Sequence, residues 1–329
     1  MRILVTGAAG FIGSHLAKKY KSLNHEVLGL DNFTDYYSTE LKRIRASELV
    51  SNGVEFVNCD LTNFDELSKV LSQFNPQIVV NLAAQAGIRL PIKEFSRYID
   101  SNILGFTNIL MASSLHGVEK FLYASSSSVY GNYNAETLKE SYTDIQPISF
   151  YGATKLSNEI LANGISSYVN MKIRGLRFFT VYGPAGRPDM AYFKLINAAI
   201  NGKDFHLNGD GILKRDFTFI DDIIYSIIKL EEHLNSQKIG FHDVVNIGGG
   251  SPHSIRELIE CVEQISERRI SIVQELGIAQ DVNFTNADTN YLRKLIGTSP
   301  KTSLTDGISK TFQWATSSEN IGKIQDWIK

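Results

Sequence analysis

Gly7-Ala8-Ala9-Gly10-Phe11-Ile12-Gly13 stands between a short apolar run, Arg2 to Thr6, and an amphipathic stretch, Ser14 to Leu23. Strand, glycine turn and helix in that order turn a loose glycine pattern into a dinucleotide site. Gly7 permits the tight turn. Gly10 lets backbone N–H groups approach a pyrophosphate at the helix N-terminus, where Phe11 and Ile12 follow, and Gly13 lets helix and strand pack closely. A second strand, Val27 to Leu30, runs into Asp31-Asn32. An acid there suits both hydroxyls of an adenosine ribose and repels a 2′-phosphate, which favours NAD over NADP. The basic cluster Lys42, Arg43 and Arg45 reads as a solvated face rather than a phosphate site.

Outward from that turn, strands alternate with helices. A third strand, Val54 to Val57, ends at Asp60-Leu61, a dipeptide that could line an adenine pocket; Asp60 could equally cap the next helix, Asn63 to Gln73. The strand Gln77 to Asn81 runs into Leu82-Ala83-Ala84-Gln85-Ala86-Gly87, whose small residues let a cofactor lie against the backbone and leave Gln85 and Arg89 toward a substrate, though Arg89 could equally be a surface salt-bridge residue. Tyr98 to Leu115 and Ser149 to Tyr168 read as long helices, Phe121 to Tyr123 and Met171 to Phe179 as strands. Nearly continuous apolar strands between helices predict an α/β fold, a doubly wound parallel sheet of the Rossmann type covered on both faces.

After Phe179 the texture changes. Thr180 to Pro188 is turn-rich and predicted to lack regular structure. A helix, Met190 to Asn201, an extended segment, Phe205 to Leu207, and Lys214 to Phe219 form a smaller C-terminal α/β substrate-binding lobe. Asp221 to Leu234 is an apolar helix, and Val244 to Ile247 is one more sheet strand. The dinucleotide domain is therefore expected over 1–179 plus about 221–247, and the substrate domain over about 180–220 plus 248–329. From Pro252 the chain reads as helices and short strands, ending in an amphipathic helix near Leu304 to Trp314.

Composition narrows the class. The chain has 33 basic and 35 acidic residues, a net charge of −2, so nothing favours nucleic acid or an anionic membrane. Cys59 and Cys261 are isolated, which predicts no disulfide framework, no metal site and a reducing, cytoplasmic setting. Ile3 to Val5 is too short for a secretory h-region, and no run is long enough to span a bilayer.

Chemistry enters at Tyr151-Gly-Ala-Thr-Lys155. Residues four apart share a helix face, and an ammonium beside a phenol favours the phenolate, lowering its pKa from about 10. The expected product is a general base near neutral pH. Ser125-Ser126-Ser127-Ser128 follows a strand, so a serine hydroxyl can share the proton with Tyr151.

Taken together, the glycine turn, Asp31, the serine run, Tyr151 with Lys155, and Arg215-Asp216-Phe217 resemble the extended short-chain dehydrogenase/reductase family over essentially the whole chain. Within it the chain is similar to nucleotide-sugar 4-epimerases, above all the UDP-glucuronate 4-epimerase branch. Asp31 to Tyr37, Leu82 to Arg89, Ser125 to Gly131, Arg177 to Pro184 and Gly186 to Met190 carry that likeness. Gln280-Asp281-Val282 departs from the family's usual Gly-Asp-Val. Dehydratases of the family carry Thr-Asp-Glu before Val-Tyr-Gly, and decarboxylases a glutamate; here Ser126, Ser127 and Ser128 stand instead.

The resemblance implies NAD as a bound prosthetic group, with Leu82, Ala83, Ala84 and Phe178 added to its contacts, and Tyr151, Lys155 and Ser126 as catalytic residues. It implies C4 epimerisation of a UDP-sugar through a transient 4-keto sugar. Ser127, Ser128 and Thr180 are expected to hold a C5 carboxylate through neutral hydroxyls. Arg187 would serve that carboxylate or the pyrophosphate, and Arg215 the pyrophosphate. Phe205 and Leu207 would form a uracil platform. A homodimer through the helices near Asn102 to Leu115 and Ser149 to Tyr168 is also implied. UDP-glucose or UDP-N-acetylglucosamine epimerisation, decarboxylation and a non-catalytic NAD-binding scaffold are the alternatives.

Overall fold

Seven strands form one parallel sheet in the order β10-β6-β5-β4-β1-β2-β3. They are β1 (Arg2–Thr6), β2 (Glu26–Asp31), β3 (Glu55–Asn58), β4 (Ile78–Asn81), β5 (Lys120–Ser126), β6 (Lys172–Phe178) and β10 (His242–Ile247). The structure, a computed structural model, describes residues 1–276 and 284–328. Gln280-Asp281-Val282 lies outside the described residues.

The apolar strand sequences explain the layers. Ile3, Val5, Ile78, Val80 and Leu122 face one core cluster with Leu16 and Tyr20 of helix α1 (Phe11–Ser22). Leu4, Leu28, Val79 and Phe121 face a second cluster with Phe106 and Leu110 of the helix Gly105–Leu115. Alternate residues of each strand thus bury against opposite layers, as a sheet covered on both sides requires.

The smaller lobe has two sheets. One joins β7 (Thr180–Tyr182), β9 (Lys214–Phe219) and β11 (Pro252–Ser254), the other β8 (Phe205–Asn208) and β12 (Ile272–Glu275). Its Tyr192, Phe219 and Leu258 belong to the same cluster as Ile3 and Val5, so its core continues one face of the large sheet. Buried Asp216 fastens the lobe, accepting backbone N–H groups from Gly249 (2.7 Å), Gly250 (2.9 Å) and Ala287 (3.0 Å). The last helices are Leu304–Ala315 and Ile324–Trp327, whose Trp314 and Trp327 rings stack at 5.8 Å.

Three expectations are corrected. Thr180 to Pro188 is not wholly irregular, because Thr180, Val181 and Tyr182 pair in parallel with Phe217, Thr218 and Phe219. The predicted helix Tyr98 to Leu115 contains a π turn, Ile99–Leu104, before its α-helical part. Lys42 and Arg45 of helix α2 (Thr39–Ser51) are buried and only Arg43 is exposed, so the solvated-face reading fails for two of the three. Lys42 Nζ donates to Thr34 O (2.7 Å) and Thr34 Oγ1 (2.8 Å), giving a buried charge the partners it needs.

Candidate active site

At the cofactor end the surface is backbone. Gly7 has φ +67°, and a Cβ on it would lie 2.7 Å from Ala83 N. A Cβ on Gly13 would lie 2.1 Å from Gly7 O. Only glycine lets the turn lie flat on the exit of β4. Gly10 begins α1 with no side-chain cap, so the first helical N–H groups remain for an anion. Asp31 ends β2 beside the turn. Its Oδ2 accepts from Ala9 N (3.0 Å) and its Oδ1 from Phe33 N (2.8 Å), which leaves acceptor capacity on both oxygens.

Asp60 does not cap the next helix, Phe64–Phe74; Asn63 does, accepting from Glu66 N. Asp60 instead accepts from Thr62 N (2.8 Å), Thr62 Oγ1 (2.7 Å) and Asn32 Nδ2 (2.8 Å). Burial alone would raise its carboxyl, but these bonds outweigh it and hold it below the usual range. Leu61 is buried, and Leu82, Ala83 and Ala84 continue part-buried from β4. Phe178 ends β6 directly opposite Ser126. These residues fit a dinucleotide.

The helix Phe150–Ser166 starts with Ser149, which caps Gly152 N at 3.0 Å. A Cβ on Gly152 would sit 2.5 Å from Ser128 O, so the helix packs hard on the serine segment. The Ser126 hydroxyl donates to Ser128 Oγ at 3.2 Å and accepts from Ser128 N at 3.1 Å, and it lies near enough to the Tyr151 phenol to pull it down. Ser127 and Ser128 are part-buried beside it.

Lys155 Nζ donates to Ala124 O at 3.0 Å and lies 5.8 Å from the Tyr151 ring centroid. The expected lowering of the phenol is not found. Burial pushes Tyr151 up, with Arg187 and the Ser126 hydrogen bond pulling down against it. Burial also takes Lys155 down to about 8, which weakens the charge that was to do the lowering.

Two groups of side chains frame this centre. Arg187 is gripped by Asp189, Nε to Oδ1 at 3.0 Å and Nη2 to Oδ2 at 2.6 Å. Tyr36 donates to Asp189 Oδ2 (3.3 Å), and Tyr98, 6.2 Å from Tyr151 between ring centroids, donates to Gly87 O (2.6 Å). Beneath the serines, Arg177 binds Glu159 through Nε (2.9 Å) and Nη2 (2.7 Å), and Ser125 Oγ donates to Glu159 Oε1 (2.5 Å). Sequence reading assigns no role to Tyr36, Tyr98 or Asp189: Asp189 pairs with Arg187 two residues away, but Tyr36 reaches Asp189 only through the fold.

The remaining expected residues divide. Thr180 is part-buried on β7 and Arg215 part-buried on β9, while Arg89 is exposed. Gln85 is buried, its amide turned to Ala86 O at 2.9 Å. Phe205 and Leu207 pack in the hydrophobic core, so their side chains form no open platform. Among the described residues no group of three or more His, Cys, Asp or Glu could hold a metal, and no helix is long and apolar enough to cross a membrane.

A backbone cradle for a dinucleotide, meeting a half-buried Tyr151 with buried Ser126 and Lys155 at the strand ends, defines a tyrosine-dependent short-chain dehydrogenase/reductase. Residues 3–248 match the model of the NAD dependent epimerase/dehydratase family, and the chain belongs to that family. It is 41% identical over 328 residues to Protein CapI of Staphylococcus aureus, covering 95% of this chain and 98% of the relative. It is 36% identical over 330 residues to a probable UDP-glucuronate 4-epimerase of Rhizobium meliloti, covering 95% and 96%. The UDP-glucuronic acid 4-epimerase of Bacillus cereus, solved with UDP-glucuronic acid and NAD, superposes with a TM-score of 0.88 at 36% identity, covering 95% and 98%.

Proposed function

We propose that this chain interconverts UDP-glucuronate and UDP-galacturonate by inverting C4. The chain is an NAD-dependent nucleotide-sugar epimerase, and the proposal fixes its sugar. The observation that carries it is the hydroxyl-only lining beside Tyr151. Ser126 lies at the phenol and donates to Ser128, and Ser127 and Ser128 follow where a dehydratase would place an acid and a decarboxylase a glutamate.

The glycine turn, Asp31 and Lys155 would hold NAD, which would supply a reversible hydride acceptor. Tyr151, raised by burial and so needing the positive charge of an oxidised nicotinamide to favour its phenolate, would take the proton of the sugar 4-hydroxyl, with Ser126 at the same oxygen. The sugar turns about its bond to the diphosphate, and Tyr151 returns the proton with the other face presented. A 4-keto-hexuronic acid is a β-keto acid and can lose CO₂. Neutral donors from Ser127, Ser128 and Thr180 hold the carboxylate without a counter-charge, and Asp189 occupies the Nε–Nη2 edge of the nearby Arg187.

The same reading includes a cytoplasmic homodimer. The helices Gly105–Leu115 and Phe150–Ser166 expose Met111, Leu115, Ile160 and Leu161, an apolar surface suited to helix-on-helix packing.

The test is to incubate the protein with UDP-glucuronate, without and then with added NAD, and follow the sugar by NMR. UDP-galacturonate without net NADH is the expected result. A pentose with CO₂, or conversion of neutral UDP-sugars only, would overturn the sugar assignment.

A further inference from the structure

Arg45 belongs to none of the groups above, yet it touches both ends of the site. It is 2% exposed. Nη1 donates to Ala9 O (3.1 Å), inside the glycine turn, and to Tyr37 OH (2.7 Å). Nη2 donates to Ala185 O (2.7 Å) and Gly186 O (2.8 Å), the two residues before Arg187. The guanidinium is thus held by carbonyls and a phenol rather than by a carboxylate. Such a charge is costly to bury, and a planar fork of donors with fixed geometry is well suited to hold two segments at once.

The loop it holds is itself under constraint. Ala185 has φ +50°, a left-handed conformation in a residue with a Cβ. Such a conformation persists only where its surroundings over-determine it. Gly186 is equally confined, since a Cβ there would lie 1.7 Å from Tyr192 OH. Arg45 supplies the bonds to both carbonyls, and the next residue is Arg187.

We infer that Arg45 is a positioning residue, which locks the Ala185–Gly186 turn to the cofactor turn and so sets where the Arg187 guanidinium meets the UDP-sugar. It acts through Arg187 and does not touch the sugar. The inference rests on the proposed sugar only for the choice of ligand.

A double-mutant cycle tests it. In the NAD-loaded protein carrying Tyr151→Phe, so that no turnover occurs, UDP-glucuronate affinity is measured by calorimetry for Arg45→Met, Arg187→Met and both together. Arg45→Met should weaken binding about tenfold, and the double variant should bind no worse than Arg187→Met alone. Bound NAD should leave the holoenzyme faster on dilution in Arg45→Met and unchanged in Arg187→Met, because only Arg45 reaches Ala9. Multiplicative losses, or an Arg45→Met protein that binds like its parent, would overturn the inference. So would equal NAD release from the two single variants. Should Arg45→Met fail to fold, Arg45→Lys keeps a buried cation but not the fork and is read in the same cycle with the same criteria. If UDP-glucuronate does not bind the parent, the sugar assignment fails by itself and the cycle is read with UDP-glucose.

Discussion

The glycine turn and the side chains around Arg187, joined through Arg45, are made of opposite materials. Around Gly7 and Gly13 a single added carbon would strike backbone at 2.7 and 2.1 Å, so the cofactor end is shaped by what is missing. Around Arg187, Asp189 pairs from two residues away and Tyr36 joins from a distant segment, so the end proposed for the sugar is shaped by pairing. The first kind of surface is fixed by local sequence. The second exists only once distant segments meet, and it can change its sugar by changing partners without disturbing the cofactor.

Substitutions can break that contrast, and the largest effect belongs at the reacting centre common to both ends. Tyr151→Phe should reduce epimerisation by about 10²–10⁴-fold, the range of a lost general acid–base group, with NAD content unchanged. Activity within a few-fold of the parent, in the NMR assay, would remove Tyr151 from the mechanism. Next comes the pairing beneath the serines. Glu159→Gln strands the buried Arg177 charge and should lower stability by about 3–5 kcal/mol in urea unfolding. A loss no larger than that of a surface variant would show that pairing there is dispensable.

At the backbone end, Gly7→Ala combines φ +67° with a contact to Ala83 and should destabilise by about 1–3 kcal/mol. NAD affinity should fall more than UDP-sugar affinity, and equal losses in calorimetry would mean the two ends are not separately built. Lys155 gives a pH signature. Its folded value of about 8 lies below its ordinary 10.5, so between those values the unfolded chain binds more protons and stability rises with pH. The penalty is in full force below the folded value. Lys155→Met should flatten that rise in thermal midpoints from pH 8 to 10, and an unchanged slope would contradict the burial account. Smallest is Thr180→Ala, which should lower UDP-glucuronate turnover about tenfold at most, one hydrogen bond's worth, and more than UDP-galactose turnover. Equal losses would exclude Thr180 as a carboxylate donor.

What was legible in the sequence follows the same division. Strands β1 to β6, the glycine turn and the Tyr151–Lys155 helix repeat at short range, and the chain itself displays their periods. β7 was missed because three residues before Gly183-Pro184 become a strand only through Phe217 to Phe219. Lys42 and Arg45 looked solvated because their partners at Thr34, Ala9 and the Ala185–Gly186 turn leave no mark on a helix-face pattern. The Tyr151 phenol was misjudged because a neighbouring ammonium is visible in sequence and the burial that outweighs it is not.

The place of β10 has a consequence for how the protein is made. It pairs along β6 at the rim of the large sheet, yet the ribosome reaches it only after the first strands of the sugar lobe. At about 5–20 residues per second the bare edge of β6 waits for seconds on the nascent chain. An unpaired apolar edge is the usual seed of wrong pairing between chains. Slow stretches of translation between β6 and β10 should therefore lower soluble yield, where the same delays after β10 would not.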